Sequence, residues 1–202
     1  MKKIIHKFTV LFVMMFLPVI PFANAQQVGY TVATIVISPA SGLIPIDIKV
    51  IPEKRVSQPG GNYATNLRVR FVDAATQTQV KESTFETNLS GIYSGLDMAG
   101  VDQGTYNIYA KGESHLTDKE ASVVLDNSNT TVDFSNGEID KLLAGDVNGT
   151  SFGDDIVNAI DLSFLISDID MFDARTDLNK DGIVNAIDLS IMITNVDETG
   201  DT

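Results

Sequence analysis

The 202-residue chain contains no cysteine, no tryptophan and only two histidines. Without cysteine there can be no disulfide, thiolate metal site or cysteine nucleophile, so stability must come from a packed core or from bound ions. Without tryptophan the chain lacks the broadest aromatic platform for a sugar ring. Tyr63 and Tyr93 are the aromatics that remain beside polar loops, and carbohydrate binding is unsupported. His6 lies in an apolar leader, which leaves His115 alone and excludes a multi-histidine metal centre. Basic residues are also scarce: 14 Lys+Arg stand against 27 Asp+Glu, a formal net charge of -13. Phosphate would meet a surface of its own sign, so nucleic acid is not an expected partner.

The leader is the one long apolar stretch. Lys2, Lys3 and Lys7 precede the run Phe8–Ile20, which only Thr9 and Pro18 interrupt, and Ala23-Asn24-Ala25 follows. A positive start, an apolar middle and small residues at the end define a signal peptide. Residues 1–25 are therefore expected to be cleaved near Ala25. The run is short beside the roughly 20 residues of a bilayer span, and no later stretch is long and apolar enough. The mature chain is expected outside the cytoplasm, secreted or cell-surface associated, with no membrane span.

The acid is unevenly distributed. Residues 26–137 carry 12 Asp+Glu and 8 Lys+Arg, whereas residues 138–202 carry 15 Asp+Glu and 3 Lys+Arg. The acidic segment is rich in Ile, Leu and Val, unlike a disordered acidic tract. Carboxylates concentrated on an apolar framework need cations.

Residues 26–137 read as an all-β antiparallel sandwich of about seven strands. Ile44, Ile46, Ile48 and Val50 alternate with polar positions, as do Leu67, Val69 and Phe71 with Arg68 and Arg70. Further strands are expected at Val32–Ser38, Gln79–Thr87, Thr105–Lys111, Ala121–Leu125 and Thr130–Phe134. Breakers such as Pro59-Gly60-Gly61, Asn88–Gly91, Gly104 and Asp126–Asn129 separate them. The segments Gly91-Ile92-Tyr93 and Gly104-Thr105-Tyr106-Asn107-Ile108 resemble the carboxypeptidase-regulatory-like or Cna-B-like sandwiches. Some Cna-B-like domains join a strand lysine to an asparagine, and Lys49 is the obvious counterpart. Its alternation beside Asp47 instead places it on an exposed charged face.

The acidic segment repeats itself. Val157-Asn158-Ala159-Ile160-Asp161-Leu162-Ser163 recurs unchanged as Val184-Asn185-Ala186-Ile187-Asp188-Leu189-Ser190. Before the second copy, Asp177, Asn179 and Asp181 place oxygen side chains at positions 1, 3 and 5 of a 12-residue loop, Gly182 follows at position 6, and Asp188 closes it. That spacing wraps a single Ca²⁺. Asp177, Asn179 and Asp181 are candidate side-chain ligands, Ile183 a backbone-carbonyl ligand, Asn185 a ligand through water and Asp188 a bidentate one. Lys180, at a non-ligand position, is expected to point outward. A purely structural reading, an acidic turn capped by Asp188, leaves the alternating oxygens unexplained.

The first copy supplies Asp146, Asn148, Asp154, Ile156, Asn158 and Asp161, but with four extra residues within Gly149–Gly153. The simplest alignment keeps Asp154 at position 5, puts Asp155 in the glycine slot and lets the extra residues bulge outward. In an alternative alignment, Thr150 replaces Asp154. Two Ca²⁺ sites are expected, the second loop being the stronger. Each loop leads into a helix. Leu162, Leu165, Ile166 and Ile169, and Leu189, Met192, Ile193 and Val196, have the spacing of core stripes. Val157 and Val184 complete that core. Ile160 with Phe164, and Ile187 with Ile191, lie well off it and form a candidate partner-binding face. A module this small has little apolar area to bury, so metal binding should be coupled to its folding.

Residues 145–197, reading "GDVNG…DIVNAIDLS" and "DLNKDGIVNAIDLS" without an entering helix, resemble a dockerin, here with two EF-hand-like calcium loops. The resemblance covers about a quarter of the chain and assigns residues 138–202 to a small α-helical module. It implies calcium-dependent docking onto a cohesin-like partner, with the sandwich displayed or tethered. Two other readings stay open: a calcium-rigidified module packed on its own β-sandwich, or an accessory component of an extracellular polysaccharide-degrading system. An enzyme is not expected, because residues 26–137 show no separated carboxylate pair in strong context, no Ser-His-Asp set and no zinc motif. A glycoside-hydrolase role is conceivable only through partners.

Overall fold

The computed structural model describes residues 45–55, 62–128, 131–135, 142–149 and 151–202, which all lie in one compact unit. The expected leader, the strand at Val32–Ser38, the Pro59-Gly60-Gly61 breaker and Thr150 fall outside the described residues.

Alternation dictates the sandwich. In β2 (Asn66–Asp73), Leu67, Val69 and Phe71 are fully buried while Arg68 and Arg70 face the other side. β2 is the centre of an antiparallel sheet ordered β3 (Gln79–Glu86), β2, β5 (Gly104–Gly112), β6 (Thr117–Leu125). The second sheet is ordered β4 (Ile92–Leu96), β1 (Ile46–Lys49), β7 (Thr131–Asp133). Here β1 and β7 run parallel, a departure from the uniformly antiparallel expectation. Strand β4 lies outside the strands expected from alternation, because Gly95 and polar neighbours weaken its pattern. Asp47 Oδ1 accepts the Gly95 N–H at 2.9 Å across that pair. Lys49 spans β1 and β7 through an ion pair with Asp133 at 2.9 Å, and so stays on the charged face. Ile46, Ile48 and Val50 meet Leu67, Phe71, Ile108, Leu125 and Phe134 in one core. Each such side chain is worth about 1.5–3 kcal/mol of burial.

The chain leaves this core through Leu142, itself fully buried there, and is held on both sides as it goes. Glu53 N donates to Leu142 O at 3.0 Å, Leu116 N to Leu143 O at 2.8 Å, and Gly145 N to Ser114 O at 2.9 Å. A second core follows, containing Val147, Val157, Leu165, Leu178, Val184 and Met192, and Leu116 from the sandwich enters it. Two nine-residue helices, α1 (Ala159–Ser167) and α2 (Ala186–Thr194), pack around it.

Those helices bury less than their spacing suggests. Leu165 and Met192 are fully buried and Leu162 and Leu189 pack against the core, but Ile166, Ile169, Ile193 and Val196 are exposed. The reason is geometric. Two short helices with a loop closing over each can cover only a narrow stripe, and the flanks of the expected stripe fall outside it. Among the described residues no helix is long and apolar enough to cross a membrane.

Candidate metal centre

The repeated sequence builds a repeated hydrogen-bond pattern. Asn158 caps α1, accepting the Ile160 N–H at 2.7 Å, while Asp161 reaches back to accept the Asn158 N–H at 2.9 Å. Asn185 and Asp188 do the same for α2, at 2.7 and 2.9 Å. The cap is thus Asn185 and not Asp188, which sits three residues into the cap motif. The other Asp161 oxygen accepts the N–H groups of Val147 and Asn148, both at 2.9 Å. Asp188 takes those of Leu178 and Asn179 at 2.8 and 3.1 Å. Each closing carboxylate therefore clamps the start of its loop to the start of its helix. Each Asn side-chain oxygen thus accepts one helix N–H in its cap.

The four extra residues do not disturb this correspondence. Asp146 accepts from the N–H groups of Asp154 and Asp155 at 3.1 and 2.8 Å, as Asp177 does from Asp181 and Gly182 at 3.2 and 3.0 Å. Asp155 takes the glycine position with φ 70°, against 103° for Gly182. Asp tolerates that left-handed conformation better than most residues. The insertion does not simply bulge away. Phe152 folds back so that the Arg68 guanidinium of β2 stacks over its ring, 5.0 Å from the centroid. Gly153 passes so close to Asp146 that a Cβ there would lie 1.9 Å from its carboxylate.

In loop one, carboxylate oxygens of Asp146, Asp154 and Asp161 come within 4.8 Å of one another. Among the described residues this is the only such cluster. Asn148, at loop position 3, is buried, and its Oδ1 has no hydrogen-bond donor. Three gathered carboxylates beside an orphaned buried oxygen suit a hard cation such as Ca²⁺. In loop two the corresponding oxygens have nitrogen donors: Asn179 Nδ2 donates to Asp181 at 2.9 Å and Asn179 Oδ1 accepts the Asp181 N–H at 2.9 Å. Burial raises the carboxyl pKa of both Asp146 and Asp177 above the ordinary value, although Lys111 opposes it at Asp146 and backbone N–H groups oppose it at both.

The sandwich supplies groups that the repeat alone does not reveal. Lys111 of β5, almost wholly buried, places its ammonium 2.5 Å from Asp146 Oδ2, 2.9 Å from Asp155 Oδ1 and 2.8 Å from His115 O. Thr117 of β6 donates to Asp155 through its N–H at 2.8 Å and its hydroxyl at 2.7 Å. Glu53 accepts the Ala144 N–H at 3.0 Å and Asn195 Nδ2 at 2.5 Å. Lys180 does not point freely outward. Its ammonium donates to Ala174 O, and burial, with Arg55 nearby, pushes its pKa down to about 8. The sequence hints at these contacts only in that residues 26–137 carry 8 Lys+Arg against 3 in the acidic repeat segment, and only the fold reveals which of them meet it.

The two off-stripe pairs are not equivalent. Ile160 and Phe164 of α1 are exposed, as is Ile187 of α2, but Ile191 is only 7% exposed and belongs to the second core. A groove of about 530 Å³ lined by Glu53, Lys54, Ile187 and Ile191 marks where α2 approaches the sandwich. The expected partner face therefore loses Ile191.

Comparison with known proteins gives the module its place. Residues 144–197 match the dockerin type I domain. No curated protein matches the chain. Two solved structures from Acetivibrio cellulolyticus, interface mutants of a type II cohesin–X–dockerin complex, contain chains of similar fold. The C-terminal interface mutant is 19% identical over 79% of this chain and 98% of that one, with a TM-score of 0.56. The N-terminal interface mutant is 19% identical over 77% and 97%, with a TM-score of 0.54. The likeness of fold thus extends beyond the module into the sandwich. The C-terminal module of this chain is a dockerin, matched over residues 144–197 by the dockerin type I domain and following a β-sandwich with seven strands among the described residues.

Proposed function

We propose that this chain is a secreted, non-catalytic adaptor whose dockerin binds two Ca²⁺ ions and docks onto a cohesin-like partner, displaying the sandwich to which it is fixed. The observation that carries the reading is the pair of loops with matching hydrogen bonds, each with its closing aspartate clamped between loop and helix, beside the exposed apolar residues Ile160 and Phe164. Asp146, Asn148, Asp154, Ile156 and Asp161 would hold one ion, and Asp177, Asn179, Asp181, Ile183 and Asp188 the other. Asn158 and Asn185 would act through water. The lysine-bearing leader supports export.

Packing of the module on its own sandwich is part of the same reading. Glu53, Lys111 and Thr117 fix the orientation of the dockerin, and α1 offers the freer face. Calorimetric titration of the full chain with calcium should show two binding events. Capture by immobilised cohesin domains should need calcium and be lost in Ile160→Asp, with sandwich stability unchanged. Cohesin capture that survives both chelation and Ile160→Asp would sink the docking reading, and an absence of calcium binding would sink the metal reading.

A further inference from the structure

We propose that Lys111 is a built-in counter-cation for loop one, so that the sandwich holds this loop formed with or without calcium and the calcium-dependent ordering resides in loop two. This inference rests on the two-site calcium reading above.

The two loops share a hydrogen-bond pattern but not a charge environment. Loop one contains Asp146, Asp154, Asp155 and Asp161, with no basic residue between the first and the last. Four carboxylates in one small loop repel, and without a cation such a loop should open. It is nevertheless the loop whose carboxylates are gathered. The compensating charge comes from the sandwich. All three Lys111 protons have acceptors, on Asp146, Asp155 and the His115 carbonyl, in a site from which water is nearly excluded. An ammonium so placed is weakly screened and acts continuously. Thr117 fixes the Asp155 carboxylate with two further donors, and this aspartate, standing where loop two has Gly182, is the graft that ties loop to sandwich.

Among the described residues no lysine is seated on the loop-two ligands in this way: Arg55 and Lys180 act on Asp177 only through space. The loop's own lysine, Lys180, donates to Ala174 O and not to a loop carboxylate. Its ligand positions are joined by hydrogen bonds alone, from Asn179 Nδ2 to Asp181, from Asn185 Nδ2 to Ile183 O and from backbone N–H groups to Asp177 and Asp188. Loop two thus has more to gain from a bound ion than loop one.

Amide exchange of the full chain, with calcium and with chelator, tests this. The amides of Val147, Asn148 and Asn158 report on loop one and those of Leu178, Asn179 and Asn185 on loop two, since each set donates to its closing aspartate. Chelation should accelerate exchange at the loop-two set by about tenfold or more and leave the loop-one set within about threefold. In Lys111→Met, chelation should accelerate the loop-one set as well, and a variant that folds only with calcium would support the proposal equally. Equal loss of protection at both sets in the wild type would overturn it while leaving the two-site reading intact. Exchange unaffected by chelation at either set would overturn both. The wild-type comparison decides even where Lys111→Met does not fold in either condition.

Discussion

At the scale of single residues, the joint between sandwich and dockerin is built from buried polar groups whose protonation has consequences. His115 is 1% exposed, and neither ring nitrogen has a hydrogen-bond partner. Burial holds its pKa well below the usual histidine value, and the nearby cations Arg55, Lys180 and Lys111 push in the same direction. The folded chain therefore keeps His115 neutral where the unfolded chain takes up a proton. Stability is complete above about pH 6.5 and is lost as the pH falls below it, by up to about 1.4 kcal/mol per pH unit. His115→Leu should flatten that slope, as measured by urea midpoints at about pH 7 and pH 5.5 in saturating calcium. The closing aspartates make a second case. Asp188→Asn keeps the shape and one acceptor oxygen but removes a charge, so calcium titration of this variant should lose the loop-two event while the loop-one event persists.

At the scale of elements, each helix depends on a cap that is also part of a loop. Asn185→Ala removes the acceptor of the Ile187 N–H and should cost about 1 kcal/mol, readable as a fall in the thermal midpoint. The seven-residue repeat makes much of this architecture legible: the alternate oxygens and the helix start can be located in the chain, although the cap is Asn185 and not Asp188, and so can most strands, because β2 and β1 alternate cleanly. What stayed hidden depends on long-range contacts. Nothing local distinguishes Ile191 from Phe164, its counterpart in the repeat, yet the first is covered and the second exposed. The inward turn of Phe152 onto Arg68 was equally illegible, because an insertion reads as a bulge until its neighbour is known. Phe152→Ala should destabilise the chain by roughly 0.5–2 kcal/mol, the range of a cation–π contact, and leave loop-two calcium binding unchanged.

At the scale of the whole molecule, the two cores should not unfold independently. The segment from Leu142 to Gly145 bonds to residue 53 on one side and to residues 114–116 on the other, and Leu116 is shared with the dockerin core. Asp201 N also returns to Thr117 O at 2.9 Å, tying the end of the chain to β6. Nature has placed separate reporters on the two halves: all five tyrosines precede residue 110, while both described helices follow residue 158. Near-ultraviolet tyrosine dichroism therefore follows the sandwich, and the helical far-ultraviolet signal follows the dockerin. In calcium the two signals should change in one coincident transition, as expected of a single cooperative unit. Glu53→Ala would strand the buried Ala144 N–H and the Asn195 amide and should cost roughly 2–4 kcal/mol. Because Glu53 lies on the seam, that loss should appear in both signals together. A fall in the helical signal alone would mean that the dockerin is merely leaning on its sandwich.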